Sequence, residues 1–292
     1  MNPAANIFTG EFRTTAIATA IFIVLAIVPA RGTPATGIDT AAPSDAPTLY
    51  QRPEKWTYSF AWWPFLRVGS AEITAMEREG PMDDNPALRS TREIAISIAG
   101  KTNRLLDAIW RYRITADAVV PLEPLRPGVL DIHESIKLKP KHTKITYEDG
   151  EFYTWRNKGG AIKETRIDAP HALGIFSTFY TLFDEELNVG DRHEFETIVG
   201  RSRYDVQFEV LGNDRIKIEG KKHAAIKLNV TGADLTDPED TSKHRKTTIW
   251  VSAEKPRRLL QAVTRIWIGT VKIRLRTIEP LDLPEQVAVV DD

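Results

Sequence analysis

Trp56-Thr57-Tyr58-Ser59-Phe60-Ala61-Trp62 places an aromatic ring at every second position. Successive side chains of a strand point to opposite faces, so Trp56, Tyr58, Phe60 and Trp62 share one face. The same period recurs outward along the chain. Tyr112, Ile114, Ala116 and Ala118 alternate with Arg111, Arg113, Thr115 and Asp117; Val206, Phe208 and Val210 alternate with Asp205, Gln207 and Glu209. Val271, Ile273 and Leu275 alternate with Lys272, Arg274 and Arg276, and shorter alternations run over 94–98, 136–138, 145–147 and 216–218. Each segment offers one apolar and one wet face, as in antiparallel sheets covered on one side. Turn residues separate them: Glu148-Asp149-Gly150, Lys158-Gly159-Gly160, Gly212-Asn213-Asp214 and Glu219-Gly220-Lys221. The expected fold is mainly β, a strongly curved antiparallel sheet or partly open barrel with one apolar helix against it.

That helix is expected over Ala169 to Phe183, where the rhythm breaks. Leu173, Phe176, Tyr180 and Phe183 fall on one helical stripe, with Ile175, Phe179 and Leu182 beside it. Asp168 is the expected cap and Pro170 suits the first turn. A helix apolar over so much of its circumference must be covered on more than one side, which predicts a place in or across the concave side of the sheet. A shorter helical turn is expected over Asn103 to Trp110.

The N-terminus has the pattern of a secretory signal peptide: Arg13, an apolar run from Ala16 to Val28, then Val28-Pro29-Ala30 before Arg31. The run is shorter than the ~20 apolar residues of a membrane span. Residues 1–30 are therefore expected to be a signal peptide. Residues 31–53, rich in Pro, Ala, Thr, Gly and Asp, are expected to be a flexible leader. A single β-rich domain is expected over 54–280, followed by a disordered tail at 281–292. The expected location is the periplasm. The alternative is an inner-membrane anchor at residues 16–28, and membrane contact is expected only through such an uncleaved N-terminus.

Lys and Arg number 39 against 40 Asp and Glu, a net charge of −1, which gives no electrostatic reason for nucleic-acid binding. Cysteine is absent, which excludes thiol nucleophiles, Cys-ligated zinc, iron–sulfur clusters and a lipobox anchor. The histidines (His133, His142, His171, His193, His223 and His244) show no HxH, HxxxH or HExxH spacing, so no metal site is assigned. Ser177 lacks the Gly-x-Ser-x-Gly turn of an exposed nucleophile. Asp83-Asp84 and Asp184-Glu185-Glu186 single out no glycosidase pair. With no phosphate loop or dinucleotide fingerprint either, no catalytic residue and no cofactor are assigned.

Two sets of residues remain as binding candidates. Trp56, Tyr58, Phe60, Trp62, Phe176, Phe179 and Tyr180 are the candidate lining of an apolar pocket, since a curved sheet facing a helix can enclose one. Most of these rings are expected to be core, and they line a site only where that face is not fully packed. Basic residues cluster at Lys137, Lys139, Lys141 and Lys144, at 243–246, and at Lys272, Arg274 and Arg276 on one face of the last strand. The last set is a candidate contact for anionic head groups or phosphorylated glycans; a solvated sheet face guarded against edge pairing is the preferred account, since acidic residues are just as abundant.

Several stretches also resemble the bacterial domain-of-unknown-function family 3108. Trp62 to Glu72, WWPFLRVGSAE, is similar to its aromatic-then-Val-Gly-Ser-Ala opening, and Asp117 to Pro124 to its Asp followed by a Pro-Leu stretch. Leu173 to Phe183 resembles the family's helix, with His171 and Gly174 where Asp and Ser are usual. Ile249 to Ser252, Pro256 to Leu259 and Gly269 to Val271 resemble its closing Trp-x-Ser, Pro-Arg and Gly-turn pattern. The resemblance covers about 54–280 and implies a periplasmic β-rich protein of Gram-negative bacteria with no established activity. Its architecture looks like that of periplasmic lipoprotein carriers, an analogy of fold only. The leading expectation is a non-catalytic protein that binds a lipid or other envelope amphiphile. A scaffold or assembly factor, recognising a protein or glycan through a strand edge or the basic face, is the second reading. The third, an enzyme acting on envelope polymers, requires carboxylates or histidines to converge in a cleft.

Overall fold

The computed structural model describes residues 53–62, 66–80, 92–123, 125–236, 247–266 and 269–281. The signal segment, the leader up to residue 52 and the tail from residue 282 lie outside the described residues, as do Trp63, Phe65, Asp83, Asp84 and 243–246. The first arm of the fold comprises β1 (Glu54–Trp62), β2 (Leu66–Glu79), β3 (Arg92–Thr102), helix α1 (Arg104–Trp110), β4 (Tyr112–Pro121), β5 (Val129–Ile136), β6 (Lys139–Glu148), β7 (Glu151–Lys158) and β8 (Ala161–Asp168). The second comprises β9 (Leu173–Gly174), helix α2 (Ile175–Asp184), β10 (Arg192–Val199), β11 (Ser202–Ile218), β12 (Lys221–Asp234), β13 (Thr247–Ser252), β14 (Leu259–Ile266) and β15 (Gly269–Pro280).

All these strands form one sheet in the order β8-β7-β6-β5-β4-β3-β2-β1-β15-β14-β13-β12-β11-β10-β9. The chain starts in the middle, meanders out to one edge, crosses to the other through α2, and meanders back. Its last strand pairs with its first, Trp56 opposite Ile278 and Phe60 opposite Ile273. Every pairing is antiparallel except the short contact of β9 with β10. The curved sheet stays open, with β8 and β9 as its two ends, so the expectation of a mainly β, curved and incompletely closed sheet holds.

The inner face is filled. Trp56 and Tyr58 are 1% exposed and Phe60 6%, in one apolar cluster that also takes in α2 and both arms. Phe179 of α2 packs edge-on against Phe183 and Phe208, and Phe195 meets Phe208 in the same way. Burying side chains of this size stabilises by about 1.5–3 kcal/mol each. The Tyr58 hydroxyl donates to the Leu259 carbonyl at 3.0 Å, which satisfies its polar atom inside the core. At the outer end of β1 the Trp62 indole nitrogen lies 2.7 Å from where a Cβ on residue 269 would fall, so only glycine fits there.

The local expectations divide. Asn103 caps α1, its side chain accepting from the Leu106 N–H at 2.9 Å. The long helix starts later than expected, at Ile175, and neither Asp168 nor Pro170 belongs to it. Asp168 ends β8, and Leu173 and Gly174 are held as strand by Thr197 and Ile198 of β10, a tertiary pairing that overrides helix propensity. Ile136 ends β5, and Lys137 and Leu138 form a turn with positive φ rather than continuing a strand. Gly212-Asn213-Asp214 lies inside β11, where the register shift after Val210 marks a bulge in place of the expected turn. No helix among the described residues is long and apolar enough to cross a membrane.

Candidate functional site

Where β1 meets β15, backbone bonds join the two arms. On the opposite side the sheet ends do not pair, and α2 occupies the seam between them. The Thr154 hydroxyl of β7 donates to the Gly200 carbonyl at 2.9 Å. The Ser177 hydroxyl of α2 donates to the Arg126 carbonyl, in the β4–β5 connection, at 3.0 Å. Ser177 is thus a structural link, with its oxygen committed to the seam. The helix is also tied to its own arm by the Thr178 and Thr197 hydroxyls, 2.9 Å apart.

The last carbonyls of α2 have a buried guanidinium as partner. Arg257, only 4% exposed, donates to the Phe183 carbonyl at 2.6 Å and to the Glu185 carbonyl. Burial pushes its pKa down, against the pull of Glu186 and Asp184. A cation at a helix C-terminus is favoured by the helix dipole as well as by these bonds. Asp184 and Glu186 add their attraction to this cation, and Lys255 donates to the Asp184 carbonyl at 2.6 Å.

A cleft of about 420 Å³, counting the solvent in its mouth, opens along this seam. Val120, Leu130, Ile145 and Phe152 line it from the first arm, Phe176 and Ile198 from the second. Gly128 also borders it. A Cβ there would fall 1.7 Å from the Val119 carbonyl oxygen, so the backbone can approach this closely only without a side chain. Of the residues expected to line an apolar site, Phe176 reaches the cleft. Trp56, Tyr58, Phe60 and Phe179 lie in the core, Tyr180 is partly buried against it, and Trp62 is partly buried at the end of β1. Alternation marks which face is apolar; it does not say whether a helix covers it. Val120, Leu130, Ile145 and Ile198 read in the sequence as ordinary inward-facing strand residues, and nothing there sets them apart as cleft-lining.

Lys272, Arg274 and Arg276 alternate along the outer face of β15, where Arg274 donates to the Lys217 carbonyl and Arg276 to the Ser59 hydroxyl, both at 2.6 Å. Arg67 of β2 joins them, since Ala61 of β1 stands opposite both Arg67 and Lys272. No ion pair to an acid among the described residues compensates these three. Burial, then Arg274 and Arg276, push the Lys272 amine below its ordinary pKa; burial, Arg274 and Arg67 do the same to Arg276.

Sequence spacing left the histidines scattered, but the hairpin register brings His133 and His142 face to face beside Asp131. Spacing rules test one strand or helix at a time, and this cluster spans two strands. Lys137 and Leu138 are not turn-forming residue types, so the turn that pairs residues equidistant from it left no signal in the sequence.

The family described as "Protein of unknown function (DUF3108)" matches residues 57–276. Among solved structures, a β-barrel-like protein of domain of unknown function DUF1849 from Brucella abortus is similar with a TM-score of 0.52 at 7% identity, over 80% of this chain and 100% of that one. A protein proposed to be a lipoprotein from Parabacteroides distasonis gives a TM-score of 0.33 at 8% identity, over 79% and 96%. At these identities the first likeness shows the fold alone, and the second carries no argument. No curated protein sequence matches the chain.

Proposed function

Because the chain belongs to the DUF3108 family of proteins of unknown function, we propose a reading from its geometry: a non-catalytic, periplasmic envelope protein that binds the apolar part of a hydrophobic or amphipathic molecule at the α2 seam. The cleft between α2 and β4–β7 carries this reading. It is apolar on both walls, and because its enclosed space is only about 20 Å³, an occupant has to part the arms to enter. It also lies where the arms are held by side chains, so widening it breaks no backbone ladder. The His and Asp cluster lies away from the cleft, on the outer face, which favours binding over catalysis at the seam.

Lipid mass spectrometry on protein purified natively from periplasm tests the proposal. An amphiphile should co-purify with the natural chain and be lost from Leu130→Trp, which fills the cleft. Protein that carries no amphiphile, or whose bound lipid is indifferent to that substitution, overturns it.

A second reading, a scaffold that recognises an anionic glycan or protein partner, is favoured by Lys272, Arg274 and Arg276 on the outer face, which have no ion pair to an acid among the described residues, with Arg67 beside them. A photo-crosslinker at position 272 in intact cells should capture one defined partner, less efficiently in Arg274→Ala. Labelling without a specific product removes this reading.

A further inference from the structure

We propose that Asp131, His133 and His142 form a zinc site on the outer face of the β5–β6 hairpin. Asp131 and His133 are alternate residues of β5 and leave the same side of the sheet, while Leu130, Ile132 and Glu134 turn inward. His142 of β6 stands directly opposite His133. The turn that fixes this register is tight: Lys137 and Leu138 close it in left-handed conformations, φ 48° and 66°. Ligands carried on paired strands are positioned more accurately than ligands on loops.

The two imidazole rings lie 3.9 Å apart between centroids and 20° from parallel. Asp131 Oδ1 is 2.6 Å from His142 Nε2 and 3.4 Å from His133 Nε2. All three ligand atoms lie within 4.8 Å of one another. Zinc–nitrogen bonds of about 2.0–2.1 Å, arranged tetrahedrally, place ligand atoms about 3.3 Å apart. The two carboxylate–imidazole distances straddle that value, so side-chain rotations suffice to close the set. A single His–Asp hydrogen bond would account for the 2.6 Å contact but not for the second imidazole at the same oxygen.

Two imidazoles and one carboxylate suit zinc and leave a fourth position open. That position faces solvent, since the His133 side chain is 59% exposed. The surroundings bear on affinity in both directions. Trp155 of β7 sets its ring edge-on to His142 at 5.0 Å, which restrains the imidazole. Asp117 of β4 stands opposite Asp131, its carboxylate accepting from the Ser97 hydroxyl at 2.5 Å, and adds negative charge. Lys144, opposite Asp131 on β6, works against a cation.

The test is a calorimetric titration with zinc chloride of the chelator-washed chain, carrying no polyhistidine tag. One equivalent of zinc should bind. His133→Ala and His142→Ala should each weaken binding by at least about tenfold, Asp131→Asn should weaken it too, and Lys144→Ala should tighten it. His171→Ala and His223→Ala, outside the cluster, should change nothing. Copper(II) should quench part of the emission of the seven tryptophans in the natural chain, a part that is missing from Trp155→Phe and from the His133→Ala/His142→Ala double variant. Urea midpoints without metal check that the variants fold. Absence of saturable binding at millimolar zinc, or equal binding by the folded double variant, overturns the proposal.

Discussion

At the β1–β15 junction the two arms share a backbone ladder running from Glu54–Pro280 to Trp62–Val271, whereas at the α2 seam they meet through hydroxyl–carbonyl bonds and apolar contact. The difference separates what this fold fixes from what it can move. Parting the first junction would orphan a row of N–H and C=O groups beside buried Trp56 and Tyr58. Parting the second costs a few neutral hydrogen bonds, each worth about 0.5–1.5 kcal/mol net, plus the apolar area of the cleft walls. A ligand that must enter an otherwise filled interior is therefore expected at the seam.

Substitutions on the two sides should behave differently. Trp56→Ala, on the ladder side, should have the largest effect, a loss of about 3–5 kcal/mol in urea unfolding that is felt throughout the molecule. Arg257→Met should cost less, about 1–3 kcal/mol, because it leaves the Phe183 and Glu185 carbonyls without their buried donor. Its signature should be local: hydrogen exchange accelerates in α2 and β10 while β1 and β15 stay protected. Thr154→Val should cost about 0.5–1.5 kcal/mol and loosen the seam alone. Equal acceleration at both junctions in either seam variant would erase the distinction between them.

The smallest effect concerns pH. Burial pushes the Tyr58 phenol well above its ordinary value. The unfolded chain releases this proton near pH 10 while the folded chain keeps it, so the stability it contributes is complete below pH 10 and declines above it. The decline should be under about 1 kcal/mol at pH 10.5. Tyr58→Phe should lessen the slope of the alkaline limb, to which buried Tyr112 contributes in the same direction; an unchanged limb would show that Tyr58 has no part in it.

Much of this architecture was legible because a strand's period is a local property. The aromatic face of β1, the alternations of β4, β11 and β15, and the basic stripe at Lys272, Arg274 and Arg276 each lie within one segment. The features missed depend on partners distant in sequence. Arg67 joins the stripe through Ala61, and His142 meets His133 through a hairpin register. Leu173 and Gly174 leave the expected helix because β10 claims their backbone. Gly212 looked like a turn because bulges and turns use the same residues. Whether the concave face was hollow or filled could not be read at all, since the same alternation serves both.

The seam is tested most directly by locking it. The chain contains no cysteine, so in Arg126→Cys with Ser177→Cys the loss of both free thiols on oxidation reports closure of a single reversible disulfide across the seam where the Ser177 hydroxyl now meets the Arg126 carbonyl. Binding of a fluorescent long-chain fatty acid is then followed in the oxidised and reduced forms. The account predicts binding by the reduced protein and by the natural chain, and little or none by the oxidised protein, with reductant restoring it. Equal binding by both forms, or no binding by the natural chain, would contradict it.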